Sequence, residues 1–267
     1  MTPRGRTVRP VRRLETIAEM NARGEAALGI FVGSTDPSIT ESVAAAGYDF
    51  VVIDCEHTPM DPLTTLPHVR AAEAAGIRVF ARLWDLSPAA VQRFLDIDVQ
   101  GLIIPHADSA ESVEAVVAAT RRPPRGVRGT CPIVRGAGYS REGWDEYVAS
   151  SEEDIFISPI IESAAGLENV DAIAAVEGVD LVYLGAVDLA AEMGVPVASP
   201  EIADAWRSVA AAAERHGKRA MGPLLPDVDQ SEAGAFVLGM DLGVLTASLR
   251  QLLDSTAPAV RKRMRAG

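Results

Sequence analysis

Short apolar runs recur along this chain, each closing on a polar residue or a glycine and each followed by a longer stretch, often rich in alanine. β-Branched runs bounded by turn formers read as buried strands, and the longer stretches as helices with one apolar face. Strands are expected at Leu28–Val32, Phe50–Asp54, Arg78–Arg82, Gly101–Pro105, Ile155–Ile161, Leu181–Leu184, Arg219–Met221 and Leu242–Leu245. Between them, helices are expected from Asp36-Pro37 to Gly47 and over Pro62–Ala75, Ser87–Leu95, Ser109–Ala119, Arg141–Ser150, Ala165–Val176, Pro200–His216 and Val228–Leu238. A short helix, Leu14–Arg23, precedes the first strand, and a final one, Ser248–Arg265, follows the last. Asp or Ser followed by Pro at several helix starts, and Gly at several ends, are the expected punctuation.

Regular strand–helix alternation forces parallel strands joined by right-handed crossovers. About eight such units in a single chain of this length predict an α/β fold of the TIM (β/α)8 barrel type. A doubly wound open sheet would read similarly, but it usually carries a glycine-rich phosphate turn after its first strand. Gly33-Ser34 is no such turn. The expected organisation is an N-terminal basic arm and short helix over residues 1–23, then one barrel domain over residues 24–267.

Composition narrows the function. The 267 residues are 48% hydrophobic, yet no apolar run is long enough to span a bilayer. The formal net charge of -12 repels phosphate backbones, so neither nucleic acid nor membrane is an expected partner. Arg4, Arg6, Arg9, Arg12 and Arg13 form a basic exception at the amino end, without the apolar segment of a secretory signal. Cys55 and Cys131 have no metal-type spacing, and Cys55 reads as a small buried apolar group. A reduced, cytoplasmic protein is expected.

In a parallel barrel the active site lies at the carboxyl ends of the strands, and ionisable residues concentrate there. The second strand closes on Asp54, Glu56 and His57, the third on Arg82, the fourth on Pro105-His106, the fifth on Glu162 and the sixth on Gly185-Ala186-Val187-Asp188. Glu162 and Asp188 form a carboxylate pair suited to a hard divalent cation, Mg²⁺ or Mn²⁺, with coordination positions left for substrate. Helix capping is the alternative for both. Arg82 can clamp a carboxylate bidentately, or simply neutralise the acidic cluster. His57 can act as general acid or base near neutral pH, and His106 is a secondary candidate. A cation on two carboxylates with an Arg and a His suggests enolate chemistry on a 2-oxo acid.

From about Gly24 to Leu253 the chain resembles the HpcH/HpaI (hydroxyketo-heptanedioate) family of metal-dependent class II pyruvate aldolases. The resemblance rests on Gly47-Tyr48-Asp49-Phe50-Val51-Val52-Ile53-Asp54-Cys55-Glu56-His57, Ala81-Arg82, Leu95-Asp96 and Gly101-Leu102-Ile103-Ile104-Pro105. It continues through Arg121-Arg122-Pro123-Pro124-Arg125-Gly126-Val127-Arg128-Gly129, Ile161-Glu162-Ser163 and Gly185-Ala186-Val187-Asp188-Leu189. It implies a barrel lyase performing aldol and retro-aldol chemistry through a pyruvate enolate. It implies Glu162 and Asp188 as ligands of Mg²⁺, Mn²⁺ or Co²⁺, Arg82 as the residue holding the 2-oxo acid, and His57 as the base oriented by Asp96. The backbone of Gly185, Ala186 and Val187 would seat the substrate carboxylate. The implied partners are a 2-oxo acid (pyruvate or oxaloacetate), an aldehyde, and further copies of the chain in a hexamer that exchanges its C-terminal helix.

Three positions depart from the family pattern. Ile160 stands where a Gln is usual, Ala186-Val187 replaces Pro-Ala in the turn before Asp188, and His106 replaces a Met. These departures keep open a decarboxylase acting on oxaloacetate, a biosynthetic enolate-transfer or cyclisation enzyme, and a non-catalytic ligand-binding barrel. A citrate-lyase or malyl-CoA-lyase type of enzyme is disfavoured, because the acidic chain shows no basic pocket for a CoA phosphate.

Overall fold

The computed structural model describes residues 14–152 and 154–265; the arginine-rich arm expected before Leu14 lies outside them. The elements run α1 (Ile17–Ala22), β1 (Ala27–Val32), α2 (Ser38–Ala45), β2 (Phe50–Asp54), α3 (Pro62–Ala75), β3 (Arg78–Arg82), α4 (Pro88–Asp96), β4 (Gly101–Ile104) and α5 (Ala110–Thr120). Then follow α6 (Trp144–Ser151), β5 (Phe156–Ile161), α7 (Ala164–Glu168), α8 (Val170–Ala175), β6 (Leu181–Leu184), α9 (Ala186–Met193), α10 (Pro200–Arg215), β7 (Arg219–Gly222), β8 (Ala235–Met240) and α11 (Asp241–Arg265). All eight strands are parallel, and β8 pairs back onto β1 to close the barrel expected from the alternation. None of the described helices is long and apolar enough to cross a membrane.

Local chemistry accounts for many of the boundaries. Asp61 caps α3 by accepting the Thr64 N–H at 2.8 Å, Pro62 takes the first helical position, and Gly76 ends the helix with a φ of 82°. Ser87 and Ser109 cap α4 and α5 through their hydroxyls. The single helix expected over Ala165–Val176 is instead two, because Asn169 ends α7 and begins α8 while its amide donates to the Asp108 carbonyl at 2.8 Å.

The carboxyl-terminal quarter departs further from expectation. Val228–Leu238 is not a helix, and Leu242–Leu245 is not the last strand. The eighth strand is Ala235–Met240, ending at Met240 rather than at Leu245, and the Leu242 run lies inside α11. A four-residue apolar run has no periodicity that separates strand from helix. Here Asp241 decides: its carboxylate accepts the N–H groups of Gly33 and Ser34, both at 3.0 Å, and of Leu242 at 2.7 Å. It starts α11 and fastens that start to the end of β1.

Side chains alternate between two cores, as the pleat requires. One set, including Ile53, Val79, Leu102 and Ile161, faces the surrounding helices. The other fills the barrel and includes Phe50, Phe80, Phe156, Ile160, Tyr183 and Val237. The Phe50, Phe80 and Phe156 rings contact in series, with centroids 5.2 and 4.6 Å apart. Glycines make room for them: a Cβ on Gly29 would stand 2.1 Å from the Phe50 ring, and one on Gly101 2.6 Å from that of Phe80. The structure thus spends two strand positions to seat three rings.

Gly29→Ala should therefore destabilise the barrel by about 2 kcal/mol through overpacking. Urea denaturation checks this, and an unchanged midpoint would show that the Phe50 ring can move aside. Cys55 is buried, and burial pushes its thiol up to about 12, whereas Cys131 is exposed. A disulfide reagent should accordingly modify a single thiol in the folded protein and the second only after unfolding. Rapid double labelling of the native protein would contradict that burial.

Candidate active site

The alternation that points Phe50, Phe80 and Phe156 into the barrel carries the same faces up to its carboxyl-terminal rim. Asp54 follows Phe50 and Val52, Arg82 follows Phe80, Glu162 follows Ile160, and Gly185 follows Tyr183 at the required spacing of two. Arg82, Glu162 and Gly185 border a cavity of about 340 Å³ that is also lined by Phe31, His57, Ile160, Tyr183, Val237 and the rest of the segment Gly185–Asp188. Two larger clefts, about 430 and 420 Å³, lie at the opposite end around Arg78 and Asp154. Chemistry outweighs size here, because active sites in such barrels lie at the carboxyl-terminal face.

Arg82 is the most constrained group in the cavity. Its Nε and Nη2 donate to the two oxygens of Asp54 at 2.9 and 2.8 Å, a bidentate pair between residues in register on β2 and β3. Its Nη1 lies 3.3 Å from Glu56 Oε2, and the guanidinium sits 4.6 Å above the Phe31 ring centre. Burial opposes the charge on Arg82, but hydrogen bonding to Asp54 and the carboxylates of Asp54 and Glu56 outweigh it and hold the group protonated. Burial also pushes the Tyr183 phenol up, so this ring stays neutral beneath the site.

Glu162 is buried, and that burial raises its carboxyl above the ordinary range. The His106 N–H, donated to Oε1 at 2.6 Å, and the His106 ring work against the rise, while the nearby charges of Glu56 and Asp188 add to it. Glu56 meets His106 Nε2 at 2.9 Å and His57 Nε2 at 3.8 Å. Its Oε2 is buried and accepts no hydrogen bond, despite the Arg82 guanidinium nearby. Crowded carboxylates with an orphaned oxygen are the donor chemistry that a divalent cation satisfies.

The segment Gly185–Asp188 forms the turn into α9. Gly185 is its N-cap, and the free N–H groups of the first turn favour a carboxylate. A Cβ on Gly185 would lie 2.5 Å from the Glu162 Cβ and 2.7 Å from Ile160 Cγ2, so the close approach of these two strand ends needs glycine. Ile160, in the family's Gln position, is fully buried and forms apolar floor under Glu162.

The structure brings His57, Arg82, Glu162, Gly185, Ala186, Val187 and Asp188 to one cavity. It leaves Asp96 elsewhere: at the end of α4, Asp96 faces Gln92 and Arg128, both at 3.5 Å. The carboxylate beside His57 is that of Glu56. Sequence reasoning passed over Glu56 as a hub and Asp54 as the partner of Arg82, although both lie in the stretch it singled out. The missing information was register, which sets Asp54 opposite Arg82.

Comparison with known proteins identifies the family. A model of the HpcH/HpaI aldolase/citrate lyase family matches residues 27–244. A 5-keto-4-deoxy-D-glucarate aldolase of Klebsiella pneumoniae is 36% identical over 235 residues, 85% of this chain and 91% of that one. A pyruvate aldolase of Rhizobium etli is 37% identical over 206 residues, 76% and 80% of the two chains. The crystal structure of the citrate synthase SbnG aligns with a TM-score of 0.79 and 30% identity, covering 94% of this chain and 99% of that one. With its closed parallel barrel and this rim of charged groups, the chain belongs to the HpcH/HpaI aldolase/citrate lyase family, and it is an enzyme of the lyase class.

Proposed function

We propose that this enzyme interconverts a 4-hydroxy-2-oxo acid with an aldehyde and pyruvate, through the pyruvate enolate, using a divalent cation. The observation carrying this reading is the convergence of Arg82, Glu162, Asp188 and the amino end of α9 on one cavity. The donor set fits the cation: Glu162 and Asp188 would hold it, with Glu56 beside them. A bound divalent ion supplies Lewis acidity, polarising the 2-oxo group and stabilising negative charge on its oxygen.

The chain's own residues do the rest. The first-turn N–H groups at Ala186 and Val187 seat the substrate carboxylate. Arg82, fixed in orientation by Asp54 and Phe31, presents its remaining N–H groups to the carboxylate and 2-oxo oxygen. His57, exposed at the rim beside Glu56, takes the proton of the 4-hydroxyl as the C3–C4 bond breaks and the aldehyde leaves. The bonding electrons pass into the enolate of the remaining three-carbon fragment, which a proton delivered at its methylene carbon converts to pyruvate. The Asp96 role implied by the resemblance, orienting His57, is not made by the contacts within this chain, and Glu56 takes it in this reading.

Assembly belongs to the same proposal. Leu242, Leu245, Leu249 and Leu252 recur on α11 at helical spacing and are 46–60% exposed, an apolar stripe that water covers poorly in a single chain. We read α11 as the helix exchanged between copies in a hexamer. The free cysteines fit a reducing, cytoplasmic setting.

Exchange of the pyruvate methyl protons for deuterium, followed by NMR, tests the enolate without knowledge of the aldehyde. It should require a divalent cation, stop with EDTA, and fall by at least about 100-fold in Glu162→Ala, Asp188→Ala and Arg82→Lys. Undiminished exchange in metal-free buffer would refute the mechanism, and carbon dioxide release from oxaloacetate without any aldol activity would assign a decarboxylase instead. A cation at about 100 times its dissociation constant should stabilise the fold by about 2.7 kcal/mol, read as a higher Tm. Leu249→Asp with Leu252→Asp should convert the assembly to smaller species in analytical ultracentrifugation, whereas an unchanged sedimentation coefficient would remove α11 from the interface.

A further inference from the structure

Beside Glu162 and Glu56, the described residues hold one further donor that the proposed mechanism does not use, His106. One atom each from Glu56, His106 and Glu162 lies within 4.8 Å of the others, with the Glu162 side chain buried and that of Glu56 nearly so. His106 reaches this place by an unusual backbone. It follows Pro105 at the top of β4 with a φ of 50°, a left-handed conformation that residues with a side chain seldom adopt. The Glu162 carboxylate holds it there, accepting the His106 N–H at 2.6 Å. The ring is thereby laid between the two glutamates, with Nε2 2.9 Å from Glu56 Oε1 and Nδ1 3.3 Å from Glu162 Oε1.

Those separations have a chemical meaning. Ligand atoms about 2.1 Å from a common first-row ion stand about 3.0–3.4 Å from one another in octahedral or tetrahedral geometry. The Nε2 to Glu56 Oε1 distance is already close to that range. The two carboxylates present one oxygen each, Glu56 Oε1 and Glu162 Oε1, to the same imidazole, while Glu56 Oε2 turns to Arg82. Oxygen-only sites suit Mg²⁺ and Mn²⁺, whereas an imidazole tilts affinity toward Co²⁺, Ni²⁺ and Zn²⁺ along the Irving–Williams order.

We propose that His106 is a direct nitrogen ligand of the divalent ion, joining Glu56 and Glu162 in a mixed nitrogen–oxygen centre that prefers Co²⁺, Ni²⁺ or Zn²⁺ to Mg²⁺. This rests on the reading that the cavity holds a divalent cation. It assigns to the Met-to-His departure at position 106 a change of metal preference rather than a change of reaction. Glu56 then has two roles, as ligand through one oxygen and as neighbour of Arg82 and His57 through the other.

The test is calorimetric titration of the EDTA-stripped full chain with Mg²⁺ and with Co²⁺, for the wild type, His106→Met and His57→Asn. Loss of an outer partner of a metal typically costs 10–100-fold in affinity. His106→Met should weaken Co²⁺ by about 100-fold or more while changing Mg²⁺ by less than about threefold; His57→Asn should leave both unchanged. Pulsed EPR of the Mn²⁺-loaded protein adds a readout independent of affinity. Nitrogen-14 modulation from a bound imidazole should appear in the wild type and in His57→Asn and vanish in His106→Met. Equal or tighter Co²⁺ binding by His106→Met would overturn the proposal, showing that the ring stands in for the cation rather than binding it. Persistence of the nitrogen signal in that variant would overturn it as well. A wild type that binds neither ion would instead bring down the metal-dependent reading on which this inference rests.

Discussion

The bidentate pair between Asp54 and Arg82 is the interaction on which the rim of the barrel depends. Asp54 is almost wholly buried and Arg82 largely so, and breaking such a pair from one side typically costs about 3–5 kcal/mol. Its geometry follows from strand register, since the two residues are partners across β2 and β3 and face the barrel together. With two guanidinium nitrogens committed to Asp54 and its face on Phe31, Arg82 has little freedom to turn. Its third nitrogen is close to Glu56, which in turn reaches both histidines. The structural ion pair and the candidate site are here one connected network.

That network explains why an acidic cavity can exist at the end of an apolar core. Glu162 and Asp188 line the cavity over a floor of Ile160, Tyr183 and Val237, and the charges of Glu56 and Asp188 both act on Glu162. Unrelieved, such crowding opposes folding. Arg82 and the His106 N–H relieve part of it, and the remainder is an electrostatic deficit that a cation answers. Ile160 offers Glu162 no hydrogen bond from beneath, being buried and apolar.

Much of this was legible in the sequence, for identifiable reasons. Alternation of strands and helices fixes a parallel sheet, and polar residues closing apolar runs mark its functional edge. Caps such as Asp61 and Ser87 announce their helices at short range. What escaped depends on distant partners. Leu242–Leu245 reads equally as strand or helix until Asp241 is seen bound to Gly33 and Ser34, 208 and 207 positions away. Asp96 looks like a partner of His57 only by resemblance, and in the fold it turns to Gln92 and Arg128. His106 is only a secondary candidate on paper, because nothing in its neighbourhood foretells a left-handed backbone pinned to Glu162.

The clasp made by Asp241 also has a temporal consequence. The cavity is lined by Phe31 from the first strand and by Val237 and Gly239 from the last, so both walls must be present before it is a cavity at all. During synthesis, the early strands emerge with the N–H groups of Gly33 and Ser34 unanswered and the β1 edge open. Their partner in the fold, Asp241, lies 208 and 207 positions further along the chain. Contacts of such long sequence separation are reached late and against the entropy of loop closure. The chamber therefore joins the two ends of the chain, and a chain still short of β8 carries the candidate site's other side chains without the wall that Val237 and Gly239 supply.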